Sequence, residues 1–143
     1  MSAIVYPRME VLQSLYELTA DITPNRFITT RPNAVGEQME EFLLIRLPQP
    51  MRDQGDTYQS TYGQINVFVR DIQGVDMGGN AVSGLENTFR LEEMQSAVMA
   101  LFPIVAERFS AIDPILLNGG ADGTGFHSLI IQFSITINKK PIN

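Results

Sequence analysis

His127 is the only histidine in the 143-residue chain; Asp113 precedes a glycine-rich stretch and Asp122 lies within it, both upstream of the histidine. An imidazole titrates near neutrality, so these three side chains, converging in a partly buried pocket with a perturbed protonation equilibrium, would make a small hydrolase or a ligand-binding enzyme. Their spacing carries no metal-ligand signature. The alternation of the last segment also puts His127 on an apolar strand face near its beginning, where a packed or rim imidazole is the ordinary case. Asp53 with Asp56, and Asp71 with Asp76, are carboxylate pairs in turn-forming sequence, and such residues cap backbone donors or face water. No G-x-S-x-G elbow occurs, and Ser128 beside His127 points to the opposite face of any strand that holds both. The segment Gly119–Gly125 (GGADGTG) lacks the lysine and hydroxyl of a phosphate loop and precedes a strand, so it reads as a hairpin loop. No catalytic, cofactor-binding or metal-binding residue is assigned, and no cofactor is expected.

The composition narrows the field further. The chain has no cysteine, which excludes a disulfide framework, thiol catalysis and thiolate metal sites. Sixteen acidic residues against ten basic ones give a net charge of −6, which provides no general attraction for a nucleic-acid backbone. Lys139–Lys140, the one adjacent basic pair, suits a solvated terminus. No apolar run approaches the roughly 18 residues of a membrane span, and Pro7, Arg8 and Glu10 interrupt the start as no secretory signal would. The expectation is a soluble protein, cytoplasmic when synthesised, that neither enters a membrane nor reads a nucleic-acid sequence.

The elements that must position any surface follow from periodicity. Val11, Leu12, Leu15 and Leu18 recur at helical spacing over Met9–Leu18. Phe27–Thr30 and Phe42–Leu47 favour extension, the second with both faces covered, and either segment is able to pair across subunits. Between Tyr58 and Asp71, Ile65, Val67 and Val69 alternate with Gln64, Asn66, Phe68 and Arg70, which places Phe68 opposite the aliphatic face. Residues 71–83, with Gly74, Gly78, Gly79 and Asn80, read as a tightly turning excursion. Ser83 and Glu86 have capping-box spacing, with Asn87 a competing cap, ahead of a helix whose apolar face runs through Leu91, Met94, Val98, Leu101, Phe102, Val105 and Phe109. Pro103 predicts that this helix ends near Leu101, leaving a second short helix, or kinks there. Asp113–Pro114 and Asn118–Gly125 punctuate the chain around Ile115–Leu117. The last strand then alternates, with His127, Leu129, Ile131, Phe133, Ile135 and Ile137 on the core side. The order predicts one α+β domain: a mostly antiparallel or mixed sheet of four to five strands, packed by an N-terminal helix and a longer second helix.

This order, carried by MEVLQSLYEL, YGQINVFVRD, FRLEEMQSAVMALF and FHSLIIQFSITI, resembles the tail terminator or tail-completion proteins of long-tailed bacteriophages and prophages. The resemblance covers residues 9 to 138. It implies a structural protein without catalytic activity, a homo-oligomer closing into a hexameric ring in the virion, with tail-tube and head-completion proteins as partners. Under it, Tyr62 and Phe68 supply apolar contact area and Met77 lies in a loop that adjusts on docking. Gln64, Asn66 and Arg70 add polar registration. The alternatives are the Asp113–Asp122–His127 enzyme and a small non-phage adaptor that presents a sheet edge or an apolar patch.

Overall fold

The computed structural model describes residues 3–4, 8–30, 39–48, 52–53, 58–138 and 140–141. In chain order the elements are β1 (Ala3–Ile4), α1 (Arg8–Leu18), β2 (Arg26–Ile28), β3 (Glu41–Arg46), β4 (Arg52–Asp53), β5 (Tyr58–Arg70), β6 (Ile72–Val75) and β7 (Ala81–Leu85). There follow α2 (Thr88–Met99), β8 (Ile104–Val105), β9 (Phe109–Ala121), β10 (Phe126–Asn138) and β11 (Lys140–Pro141).

Period-two alternation puts β5 and β10 at the centre of the sheet. They pair antiparallel along their whole length, from Phe126 opposite Arg70 to Asn138 opposite Tyr58. The sheet has six strands in the order β2-β3-β5-β10-β9-β8, with the two-residue β4 also alongside β5, so it is larger than the expected four to five. It is mixed, because β2 runs parallel to β3 while the other pairs are antiparallel. Strands β2 and β3 therefore find partners within the chain.

Both helices lie on one face. Ile65, Val67 and Val69 of β5 and Ile131, Phe133, Ile135 and Ile137 of β10 form one buried cluster with Val11, Leu12 and Leu15 of α1 and Leu91, Met94 and Val98 of α2. Each such side chain contributes about 1.5–3 kcal/mol by leaving water. Gly63 leaves room for the Phe133 ring, since a Cβ there would sit 2.5 Å from it.

The helix ends depart from expectation in instructive ways. Leu18 is exposed, and the buried position at the end of α1 goes to Thr19, whose hydroxyl donates to the carbonyls of Leu15 (2.9 Å) and Tyr16 (3.0 Å). A polar residue is tolerated there because its hydroxyl is satisfied by carbonyls of the helix's last turn. Ser83 belongs to β7 and forms no capping box. Asn87 caps α2 instead, accepting from the Arg90 amide at 3.2 Å. The helix stops at Met99, and the chain after Pro103 enters β8 rather than a second helix. Val105 is exposed, while Phe109 returns to the core from β9. Arg90 fastens the start of α2 to β3 through Glu41, with Nε and Nη2 donating at 2.8 and 2.7 Å, and this holds its guanidinium still more firmly protonated.

Candidate assembly surfaces

Side-chain alternation sends Tyr62, Gln64, Asn66, Phe68 and Arg70 of β5 to the face opposite the helices, and the structure divides them. Phe68 is only 8% exposed and stacks on Phe42 at 4.4 Å, with Phe27 and Phe126 edge-on to the same ring. The apolar contact area expected there is satisfied inside the chain. Arg70 covers Phe126 at 4.6 Å and donates Nε and Nη2 to the Met39 carbonyl, so it belongs to the same packing. Asn66 is 7% exposed, and its Oδ1 has no hydrogen-bond partner among the described residues. Gln64 donates Nε2 to Gln132 Oε1 at 3.0 Å, a cross-strand pair. Tyr62, 49% exposed, presents substantial area to the outside.

Residues 71–87 form an arm. Among the described residues, strands β6 and β7 pair with each other and with no other strand, through Ile72 opposite Leu85, Gly74 opposite Val82 and Val75 opposite Ala81. A short ladder of this kind has little stability of its own, and its tip is correspondingly well tied. Asp76 accepts at Oδ1 from the amides of Gly78 (2.9 Å) and Asn80 (2.8 Å), while Asn80 Nδ2 donates to Oδ2. These hydrogen bonds, the Asn80 amide foremost, hold the Asp76 carboxyl below its ordinary range. Gly79 supplies the positive φ of the turn. Along this ordered scaffold Ile72, Val75, Met77 and Leu85 are all exposed, Val75 by 71% and Met77 completely, and Phe89 at the start of α2 is 76% exposed.

A second uncovered region lies on β9. It pairs with β10 along its length but with β8 only at Ser110 and Ala111, so from Ile112 onward its other edge is free among the described strands. Ile112, Ile115, Leu116 and Leu117 are exposed there. Residues 115–117 are consecutive and so point to both faces of the sheet. The sequence reads here as a short interrupted segment, and the apolar Ile-Leu-Leu run is the one signal of this surface.

The histidine-centred alternative is not assembled. Asp122 caps the β9–β10 turn, accepting from the amides of Thr124 (2.8 Å) and Phe126 (3.3 Å). Asp113 lies beside Ile112, which pairs with Ser134, whereas His127 pairs with Ala121. At about 3.3 Å per residue, Asp113 and His127 are roughly 20 Å apart along the ladder. The open depression beside Asp113 is lined by Phe102, Pro103, Ile112 and Pro114, without His127 or Asp122. His127 Nδ1 instead meets Asp71 Oδ1 at the root of the arm, and both side chains are largely buried. This contact, unforeseen from sequence, pins the arm's first residue to the sheet. Among the described residues no three His, Asp or Glu side chains group as metal ligands, and no helix is long and apolar enough to cross a membrane.

No family model matches the chain, and no curated protein does.

Proposed function

We propose that this chain is a structural subunit whose work is assembly: a protein like the phage tail terminators, closing into a ring at the end of a tail tube. One face of the ring meets the tube and the other the head-completion side, and the chain performs no catalysis. The observation that carries the reading is the β6–β7 arm, with Val75, Met77 and Leu85 in water at its sides and tip. Isolated exposed apolar residues are ordinary, but several of them on one ordered projection mark a contact surface. The uncovered part of β9 is a second such surface. Two unlike surfaces on one subunit make head-to-tail contacts, which close into rings when the rotation permits.

Native mass spectrometry over a concentration series tests this. A discrete ring, six copies by the resemblance, is the expected species. A chain that stays monomeric at every concentration and also fails to bind tail-tube protein overturns it. A second reading, an adaptor outside any phage particle, is favoured by the free β9 edge, which offers unpaired backbone groups to an extended segment of another protein. That reading predicts a monomer or dimer that gains mass only with such a partner.

A further inference from the structure

Strand β9 sets a side-chain site directly beside a backbone site. Asp113 and Pro114 both fall opposite Phe133, because the register passes from Ile112–Ser134 to Ile115–Gln132. A bulge of this kind re-aims the side chains it carries. Beside it lies the open depression, about 380 Å³ in volume and so within the range of ligand pockets. Phe102, Pro103, Ile112 and Pro114 are its apolar walls, and Asp113 is the one charged residue among the described ones that line it. Phe102 is held in place by packing on Phe133 at 4.8 Å. Asp113 is exposed and, among the described residues, makes no hydrogen bond or ion pair. Arg46 lies three strands away and Arg108 five positions earlier, each roughly 15 Å off at about 4.8 Å per strand and about 3.3 Å per residue. The carboxylate therefore keeps its capacity for a cation from outside. The backbone site follows at once along the strand. From Ile115 to Leu117 β9 pairs regularly with β10, and its other edge pairs with no described strand.

We propose that this edge of β9 is a peptide-binding site: it adds an extended segment of another protein as a further strand, and the depression at Asp113 takes a lysine or arginine side chain of that segment. Backbone pairing along Ile115–Leu117 supplies affinity with little regard to sequence, and the depression supplies selection. A lysine or arginine stem covers Phe102 and the two prolines while its charge stays at the mouth, in water and beside the Asp113 carboxylate. Local charge sets the occupant. From Ile112 to Ala121 the strand has Asp113 and no basic residue, so a second β9 edge brings another carboxylate and no cation. A segment with an acidic or apolar residue at this point leaves the carboxylate unanswered. The inference rests on the free edge that favours the adaptor reading, and adds the chemistry of the partner.

NMR titration of the full chain with short capped peptides is the test. The probes are acetyl-Thr-Val-Lys-Val-Thr-amide and the same peptide with norleucine or glutamate in place of lysine, and the amide signals of Phe102, Ile112, Asp113 and Leu116 are followed. The lysine peptide should shift all four and bind about threefold to fivefold more tightly than the norleucine peptide, as for a surface ion pair, with the glutamate peptide weakest. Asp113→Asn removes the charge and suits the same left-handed backbone, φ 57° at this position, so the fold is kept. In that variant the lysine and norleucine peptides should bind alike. Methyl groups on alternate peptide amides test the backbone site: placed along one edge of the peptide they should abolish binding, and along the other leave it unchanged. A lysine preference that survives in Asp113→Asn, or peptides that shift none of the four amides, overturns the proposal. So does indifference to methylation on either edge, which gives the depression to a free amine, or β9 signals that move with protein concentration alone, which gives the edge to a second copy. Oligomer mass keeps this failure apart from that of the ring. A chain that stays monomeric and still prefers the lysine peptide loses the ring and keeps this site.

Discussion

Strand β10 and the β6–β7 arm are built from the same kinds of residue, yet one is the centre of the molecule and the other stands outside it. Along β10, Ile131, Phe133, Ile135 and Ile137 each meet side chains from a helix or a neighbouring strand and are buried. In the arm, Ile72, Val75 and Leu85 are paired through the backbone but remain exposed. Both regions are held in backbone ladders. What separates them is the second layer, and burial of the apolar face rather than the ladder itself is what stabilises a sheet. An arm that keeps its apolar side chains without a covering layer is suited to receive one from another molecule.

The largest expected effect comes from setting a core position against an arm position. Phe133→Ala removes a ring that packs on Phe102 at 4.8 Å and lies over Gly63, and should cost about 3–5 kcal/mol in urea unfolding. Met77→Ala, at a fully exposed tip, should change the same stability by less than about 0.5 kcal/mol. Equal losses at the two positions would show that the arm's side chains are buried in the monomer after all.

A smaller effect of opposite sign is expected at Asn66. It sits on the face without helices, yet it is buried and its Oδ1 has no partner among the described residues. Leaving such an atom unsatisfied costs about 1–3 kcal/mol, so Asn66→Leu, similar in volume, should raise the unfolding midpoint by part of that amount. A fall in stability would mean that this amide is held in a way that matters for folding. Association should be unchanged, since Asn66 offers almost no surface to a neighbour.

Much of the framework is legible in the sequence because its signals are periodic. Ile65–Val67–Val69 and the alternation of residues 126–138 place both central strands and their core-facing sides. The spacing of Leu91, Met94 and Val98 places the face of α2. What escapes is non-periodic. Strand β9 contains Asp113 at positive φ, Pro114 and the Asn118–Gly119–Gly120 run, each of which signals a break, and the register shifts twice against β10 to absorb them. The arm hides behind Gly78–Gly79–Asn80 because its strands are too short for alternation to register. Of the candidate surface, Tyr62 and Met77 are exposed, whereas Phe68 joins a second aromatic cluster that depends on Phe27 and Phe126, residues distant in sequence. The contact between His127 and Asp71 is likewise a product of topology, since 56 positions separate the two.

The smallest effect concerns the tip of the arm, and its sign follows from linkage. Folding lowers the Asp76 pKa below its ordinary value of 3.8, because the carboxylate accepts from the amides of Gly78 and Asn80. A carboxyl depressed in the folded state contributes stability that is present in full above its unfolded pKa and is lost as pH falls through the folded one. The tip turn should therefore be unaffected at neutral pH and loosen only in acid, below about pH 4. Amide chemical shifts of Gly78 and Asn80, followed by NMR from neutral pH downward, read this directly. They should move together with the Asp76 carboxyl signal and stay flat in Asp76→Asn, which keeps an acceptor oxygen but cannot ionise. If Asp76 titrates at or above the ordinary aspartate value, the turn is not held by its charge. The order of the arm would then rest on the Ile72–Leu85 and Val75–Ala81 pairs alone, and a solution ensemble of arm positions rather than one docking-ready projection would be expected.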